Sequence, residues 1–286
     1  MQPRIVQGVS VPAFMYGTAW KEERTGELVQ AALGAGFRGI DTANQRRHYV
    51  EASVGEAVAE FMEGGSGSSA APSREDLFLQ TKFTHAAGQD HRIPYDPAAS
   101  PGARVMQSFE SSLGHLKTSY VDSYVLHGPS SRRGLGAEDL AVWRAMEQIH
   151  GEGRARLLGV SNVTLEQLEI LEREAVVKPA FVQNRCFASM GWDEDVRRFC
   201  RAHSVLYQGF SLLTANAREL GSPILREIVD RTQRTPAQVV FRFALDVGMI
   251  PLTGTSSLDH MKEDLGALDF ELRPEDVRAV ERLARS

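Results

Sequence analysis

Apolar residues along this chain follow two alternating rhythms. Short runs rich in Val, Ile, Leu and Phe (FMYGTA, FRGIDTA, LFLQTKF, SYVLHGP, LLGVSN, AFVQNRC, VLYQGFS and MIPLTGT) are separated by longer stretches whose apolar positions recur every three to four residues. The short runs read as strands buried on both faces, and the long stretches as amphipathic helices. Among the helical stretches are ELVQAALGAG, ASVGEAVAEFM, SFESSLGHL, LAVWRAMEQIH, LEQLEILERE, DEDVRRFCRAH and PAQVVFRFAL, several with a glycine just past the end where a C-cap favours it. Eight strands, each followed by a helix, predict one domain over 1–286: an α/β fold of the (β/α)8 TIM-barrel type. No G-x-G-x-x-G follows a strand, so an open doubly wound sheet loses its main support. Ahead of the first strand, IVQGVSVPAF alternates like a short N-terminal β-hairpin and is expected to plug the barrel floor. Two stretches stand outside the pattern. GGSGSSAAPS (64–73) is of low complexity and predicts a flexible surface loop; HAAGQDHRIPYDPAASPG (85–102) is long, polar and placed directly after a strand.

Charge and cysteine content narrow the class. With 32 basic and 37 acidic side chains the net charge is −5, so no overall basic field recommends nucleic acid or an anionic membrane as partner. The two cysteines, Cys186 and Cys200, form neither a metal-ligand spacing nor a disulfide framework and read as free, buried thiols of a reducing compartment. Nothing resembles a signal peptide, and no apolar run approaches the ~20 residues a membrane helix needs. A cytoplasmic, self-contained monomer is the expectation.

Active sites of this barrel fold lie at the C-terminal ends of the strands. The residues closing the runs are Trp20, Asp41, Lys82, His127, Ser161 with Asn162, Gln183, Phe210 with Ser211, and Thr253. A buried Lys82 is costly unless paired, and Asp41 on the adjacent strand is the evident counter-charge. An ammonium held there would favour the phenolate of a nearby tyrosine, whose ordinary pKa is ~10, and so bring its proton within reach near neutrality. That makes a general acid from Asp, Lys and Tyr. His127 suits holding a carbonyl oxygen or sharing the proton transfer. The loop after Lys82 is expected to bring His85, Asp90, His91 and Tyr95 to the mouth, but their spacing fits no metal site.

From GTAW through GFRGIDTA, LFLQTKF, DSYVLHGP, LLGVSN, KPAFVQN and TPAQVVFRFAL to GTSSLDHMKEDL, the motifs resemble the aldo-keto reductase family in order and spacing over nearly the whole chain. The resemblance implies reduction of an aldehyde or ketone, a small-molecule carbonyl substrate, by hydride from a reduced nicotinamide, with an Asp, Tyr, Lys and His tetrad. Asp41, Lys82 and His127 match their motifs. Ser161, Asn162 and Gln183 would hold the nicotinamide carboxamide and Phe210 would stack on its ring. Thr18, Ser211 and Leu213 would also touch the cofactor, and Thr253, Gly254, Thr255, Ser256, His260, Glu263 and Asp264 would wrap its adenosine half. Trp20, His48, Phe83 and Gly128 would line the substrate pocket. Gly128 stands where a bulky tryptophan is common, and the chain stops soon after its last helical pattern, so a wide pocket is expected. Tyr95 and Trp192 could add aromatic walls, although packing is the simpler reading of both.

Two departures from the family pattern matter. In IDTANQRRHYVEASVG, the position five after Asp41, where relatives place the tyrosine, is Arg46, and counting back from the Val54-Gly55 helix start gives His48; two extra residues in the corner and a one-residue shift would let Tyr49 reach the same point, with His48 as the rival acid. Arg46 and Arg47 become either a positive rim or a solvated bulge. Leu252 and His260 occupy positions where many relatives carry Lys and Arg against a 2′-phosphate, and a neutral histidine cannot match a guanidinium fork there. NADPH is the expected cofactor, with NADH as the alternative. Singly, each residue also has a structural reading: Asp41 and Lys82 as a stabilising ion pair, Asn162 and Gln183 as partners of buried backbone, Phe210 as core. Besides the reductase, a nicotinamide-binding regulatory or sensing barrel with little turnover, and a lyase or isomerase independent of nicotinamide, remain open at the level of sequence.

Overall fold

The structure, a computed structural model, describes residues 4–64 and 72–283. Strands β1 (Arg4–Val6) and β2 (Val9–Val11) form an antiparallel hairpin. Its two-residue turn, Gln7 and Gly8, has positive φ at both positions, the primed geometry that suits strand twist. Eight further strands follow: β3 (Met15–Gly17), β4 (Gly39–Asp41), β5 (Phe78–Phe83), β6 (Val121–Leu126), β7 (Ala155–Ser161), β8 (Phe181–Arg185), β9 (Leu206–Phe210) and β10 (Ile250–Thr253). They pair in parallel and close as β10-β3-β4-β5-β6-β7-β8-β9, the predicted barrel.

Two apolar layers support it. Val9 and Val11 of the hairpin pack with Met15, Phe78, Leu157, Phe181 and Ile250, so the hairpin does seal the barrel floor. The larger core lies between the outer faces of the strands and the helices, which include α1 (Thr25–Ala35), α2 (Glu51–Glu63), α3 (Pro101–Leu116), α4 (Ala137–Gly151), α5 (Leu165–Glu174) and α6 (Glu194–Ala202). Above the floor the barrel interior turns polar: Asp41, Gln80, Lys82, Gln183 and Gln208 are all buried. That polar layer lies below the C-terminal mouth.

The structure adjusts some boundaries. The expected loop at 64–73 falls largely on 65–71, outside the described residues; Gly64 caps α2, and Ser73 opens a short turn through Asp76. Helix α3 begins at Pro101 rather than near Ser108, because Ser100 caps it through the Ala103 N–H and proline is well placed in a first turn. After β9 come α7 (Ala217–Leu220), α8 (Pro223–Thr232) and α9 (Pro236–Asp246); α10 (Leu258–Leu265) follows β10, and α11 (Pro274–Glu281) ends the described chain. No helix among the described residues is long and apolar enough to cross a membrane.

Candidate active site

At the centre of the polar layer, Lys82 Nζ donates to both carboxylate oxygens of Asp41 at 2.7 Å and to the Thr42 carbonyl at 2.8 Å. All three ammonium donors are thereby used. Asp41 Oδ1 accepts further hydrogen bonds from Gln80 Nε2 at 2.7 Å and Gln183 Nε2 at 3.0 Å, and Gln208 closes the ring of amides with Gln80 and Gln183. Burial lowers the Lys82 pKa while Asp41 works the other way. A charge pair so thoroughly hydrogen-bonded tolerates removal from water; a lone partner would not.

Tyr49 and His48 come from the corner between β4 and α2. Side chains on both sides pin this corner: Asn44 Nδ2 donates to the Ser108 carbonyl, Gln45 Nε2 to that of Gly88, and Gln89 Nε2 returns to the Asn44 carbonyl. The Tyr49 ring lies with its centroid 5.3 Å from Lys82 Nζ and meets the His127 ring edge-on at 5.9 Å. His48 packs on Trp20 at 3.9 Å between ring centres. Both line the cavity, but Tyr49 alone joins Lys82 and His127. The expectation that Lys82 lowers the Tyr49 pKa is corrected: burial, aided by the Asp41 charge, raises it. The ammonium touches the ring while its protons go to Asp41 and Thr42, so the hydroxyl stays protonated. His127 is held down to about 3 by burial, Lys82 and His48, which makes it a neutral imidazole at working pH. Its Nδ1 lies 2.7 Å from Thr84 Oγ1. Arg47 is exposed and Arg46 partly so, its carbonyl accepting from Arg92; neither lines the cavity.

The cavity, of 1030 Å³, runs from Asp41, Tyr49 and His127 past Ser161, Asn162, Gln183, Phe210, Ser211 and Leu213 to Thr253, Gly254, Thr255, His260, Glu263 and Asp264. These predicted residues, with Trp20 and His48, thus share one space. Thr18, Phe83, Gly128 and Ser256 do not line it, and Lys82 lies behind Asp41. Thr18 is buried and donates from Oγ1 to the Asp41 carbonyl, and Phe83 packs against His85 and Tyr95. Tyr95 and Trp192 are buried too, bonded to the carbonyls of Thr84 and Val280. Of the polar residues in the loop after β5, His85 turns to Asp139 and Asp90 pairs with Arg92. Sequence reasoning missed Lys21 and Arg185 in the wall; Lys21 Nζ bonds the Gly254 carbonyl, and the Arg185 guanidinium stacks over Phe187. Arg185, two residues after Gln183 on the same strand, was findable from the alternation of β8.

The lining fits a nicotinamide dinucleotide. Ser161 Oγ donates to the Gln183 carbonyl, and Asn162 Nδ2 to the His127 carbonyl and Ser161 Oγ. The amide nitrogens of Asn162 and Gln183 are committed to protein, and their amide oxygens, unbonded among the described residues, remain as acceptors for a carboxamide N–H₂. Trp20, Asn162 and Ser211, just past the ends of β3, β7 and β9, all have positive φ. Left-handed non-glycine residues are costly, and clustering around one cavity is characteristic of functional sites. At the far end Thr253 Oγ1 donates to Asp264 Oδ2 at 2.7 Å, and burial raises the Asp264 pKa to about 6.

The Aldo/keto reductase family profile matches residues 13–285. The uncharacterized oxidoreductase YtbE of Bacillus subtilis is 31% identical over 279 residues, covering 96% of this chain and 90% of the relative. Deoxymugineic acid synthase 1 of Zea mays is also 31% identical, over 296 residues, with 96% of this chain and 88% of the relative covered. Among solved structures, an aldo/keto reductase from Brucella melitensis superposes with a TM-score of 0.80 at 28% identity, covering 99% of this chain and 100% of that one. The aldose reductase of Schistosoma japonicum shares the fold at a TM-score of 0.82 and 23% identity, covering 98% of this chain and 91% of its own.

Proposed function

We propose that this chain, which belongs to the aldo/keto reductase family, reduces an aldehyde or ketone to an alcohol with NADPH, using Tyr49 as proton donor. Membership makes it an NAD(P)H-dependent oxidoreductase; the tyrosine, the individual contacts and the choice of nucleotide are our reading. The observation that carries it is the meeting of Tyr49, His127 and the Asp41–Lys82 pair at one end of a cavity whose wall offers amide acceptors and the Phe210 ring.

In this reading the bound reduced nicotinamide supplies hydride to the carbonyl carbon. Asn162 and Gln183 would hold its carboxamide through their free oxygens, Phe210 would support its ring, and the segment from Thr253 to Asp264 would take the adenosine half, with Lys21 adding a cation beside Gly254. The chain's own residues handle the oxygen. Neutral His127 holds it by a hydrogen bond, and Tyr49 transfers its proton to the oxygen as negative charge develops there. A raised pKa keeps that proton on Tyr49 until it is needed. The Lys82 ammonium at the ring then stabilises the tyrosinate left behind, and Asp41 fixes the ammonium. NADPH stands ahead of NADH because hydroxyls and Lys21 can meet a phosphate, although no arginine replaces the fork of relatives at Leu252 and His260.

Titrating the protein with NADPH and separately with NADH, by tryptophan quenching, then adding aromatic and aliphatic aldehydes to the tighter complex, tests this. Tight binding followed by aldehyde-dependent oxidation is the expected outcome. Absence of binding by either nucleotide would overturn the reading.

A further inference from the structure

The long segment after β5 begins with a residue bonded to His127. Thr84, next after the last residue of β5, is buried, and its Oγ1 has one side-chain partner among the described residues, His127 Nδ1 at 2.7 Å. Three contacts hold Thr84 in place. Its carbonyl accepts the Tyr95 hydroxyl at 2.7 Å and Gln89 Nε2 at 3.4 Å. Its methyl packs against Gly88, where a Cβ would come within 2.7 Å of Thr84 Cγ2. A side chain at position 88 would push the threonine off His127.

Two proton arrangements fit a threonine beside an imidazole nitrogen. If Nδ1–H donated to the hydroxyl, the hydroxyl's own proton would need another acceptor, and none is bonded to it among the described residues. A buried donor without an acceptor is the expensive case; an oxygen with an unused lone pair is a cheap one. If instead the hydroxyl donates to Nδ1, the ring carries its single proton on Nε2, the nitrogen left for the cavity that His127 lines. We propose that Thr84, seated by Gly88, Gln89 and Tyr95, is a positioning residue that holds His127 as the Nε2–H tautomer and so presents a hydrogen-bond donor to the substrate's carbonyl oxygen. The other tautomer would present a lone pair to that oxygen and repel it.

The inference rests on the carbonyl-reducing reading of the cavity, yet its first test needs no turnover. Long-range ¹H–¹⁵N spectra of the labelled protein at neutral pH, with the His127 signals assigned by their loss in His127→Phe, report the tautomer directly. The parent should show Nε2–H. Thr84→Val, which keeps the shape and removes the hydroxyl, should give a mixture of tautomers and lower kcat for aldehyde reduction by about tenfold. The NADPH dissociation constant should stay unchanged, and Thr84→Ser should restore both spectrum and kcat. An Nδ1–H parent, or a Thr84→Val protein with unaltered spectrum and kcat, would overturn the assignment. A parent that shows Nε2–H but reduces no carbonyl would uphold this role of Thr84 while removing the reductase reading.

Discussion

Asp41 is the residue on which the site depends, because Lys82, Gln80 and Gln183 all donate to it inside the barrel. Asp41→Ala strands the Lys82 ammonium without a counter-charge, and a stability loss of about 3–5 kcal/mol is expected in denaturant unfolding. Asp264 gives a pH signature of opposite chemistry. Its folded-state pKa of about 6 lies above the ordinary 3.8, so the buried carboxyl favours folding when protonated. That contribution is complete below about pH 3.8 and is lost as pH rises through 6. Melting temperatures of the parent and Asp264→Asn across pH 4–7 should converge in dependence only if this carboxyl is not the source; the variant should lack the loss over that window. The neutral His127 predicts that kcat shows no inflection from its imidazole near pH 6.5, where an ordinary histidine titrates. Positions in the candidate site were legible where a strand end fixed them, as for Asp41, Lys82 and His127. Thr84 and Lys21 are not legible, since direction past a strand end depends on loop conformation; Arg185, inside β8, is legible from the alternation of that strand. The tuning of Tyr49 is not legible in sequence for a related reason: strand order places an ammonium nearby, but only geometry reveals that its three protons go elsewhere.

At the level of elements, the corner from β4 to α2 and the segment from Thr84 to Ser100 act as one unit, joined by Asn44, Gln45 and Gln89. Their alignment requires α2 to lie close against the end of α3. Gly55 permits that approach: a Cβ there would stand 2.0 Å from the His115 carbonyl oxygen. Backbone cannot yield as a flexible side chain does, so Gly55→Ala should cost at least about 1–3 kcal/mol in unfolding free energy, measured by denaturant titration. The same change should raise the KM for carbonyl substrates, because Tyr49 lies six residues ahead on the same connection. The eight strands were readable because each is buried on both faces and so has a continuous apolar run. The start of α3 was not, since Pro101 and Gly102 break the apolar period while Ser100 supplies the cap. The extra residues at Arg46 and Arg47 made the register of Tyr49 and His48 a question of turn geometry that periodicity does not address.

For the whole molecule, closing eight strands places residues distant in sequence, such as Asp41 and Gln183 or Gln80 and Gln208, within hydrogen-bonding range. The hairpin seals one end, leaving the cavity open at the other. What the fold thereby creates is a space with Asp41, Tyr49 and His127 at one end and hydroxyls, Lys21 and His260 at the other. The most direct test of this account is a single-turnover experiment. Protein loaded with NADPH is mixed with excess aldehyde, and loss of the reduced-nicotinamide absorbance is followed in the parent and in Tyr49→Phe. Rapid oxidation is expected in the parent and a rate lower by about 10²-fold or more in Tyr49→Phe, with nucleotide affinity unchanged. Equal rates in the two proteins would contradict it and return the role of proton donor to His48.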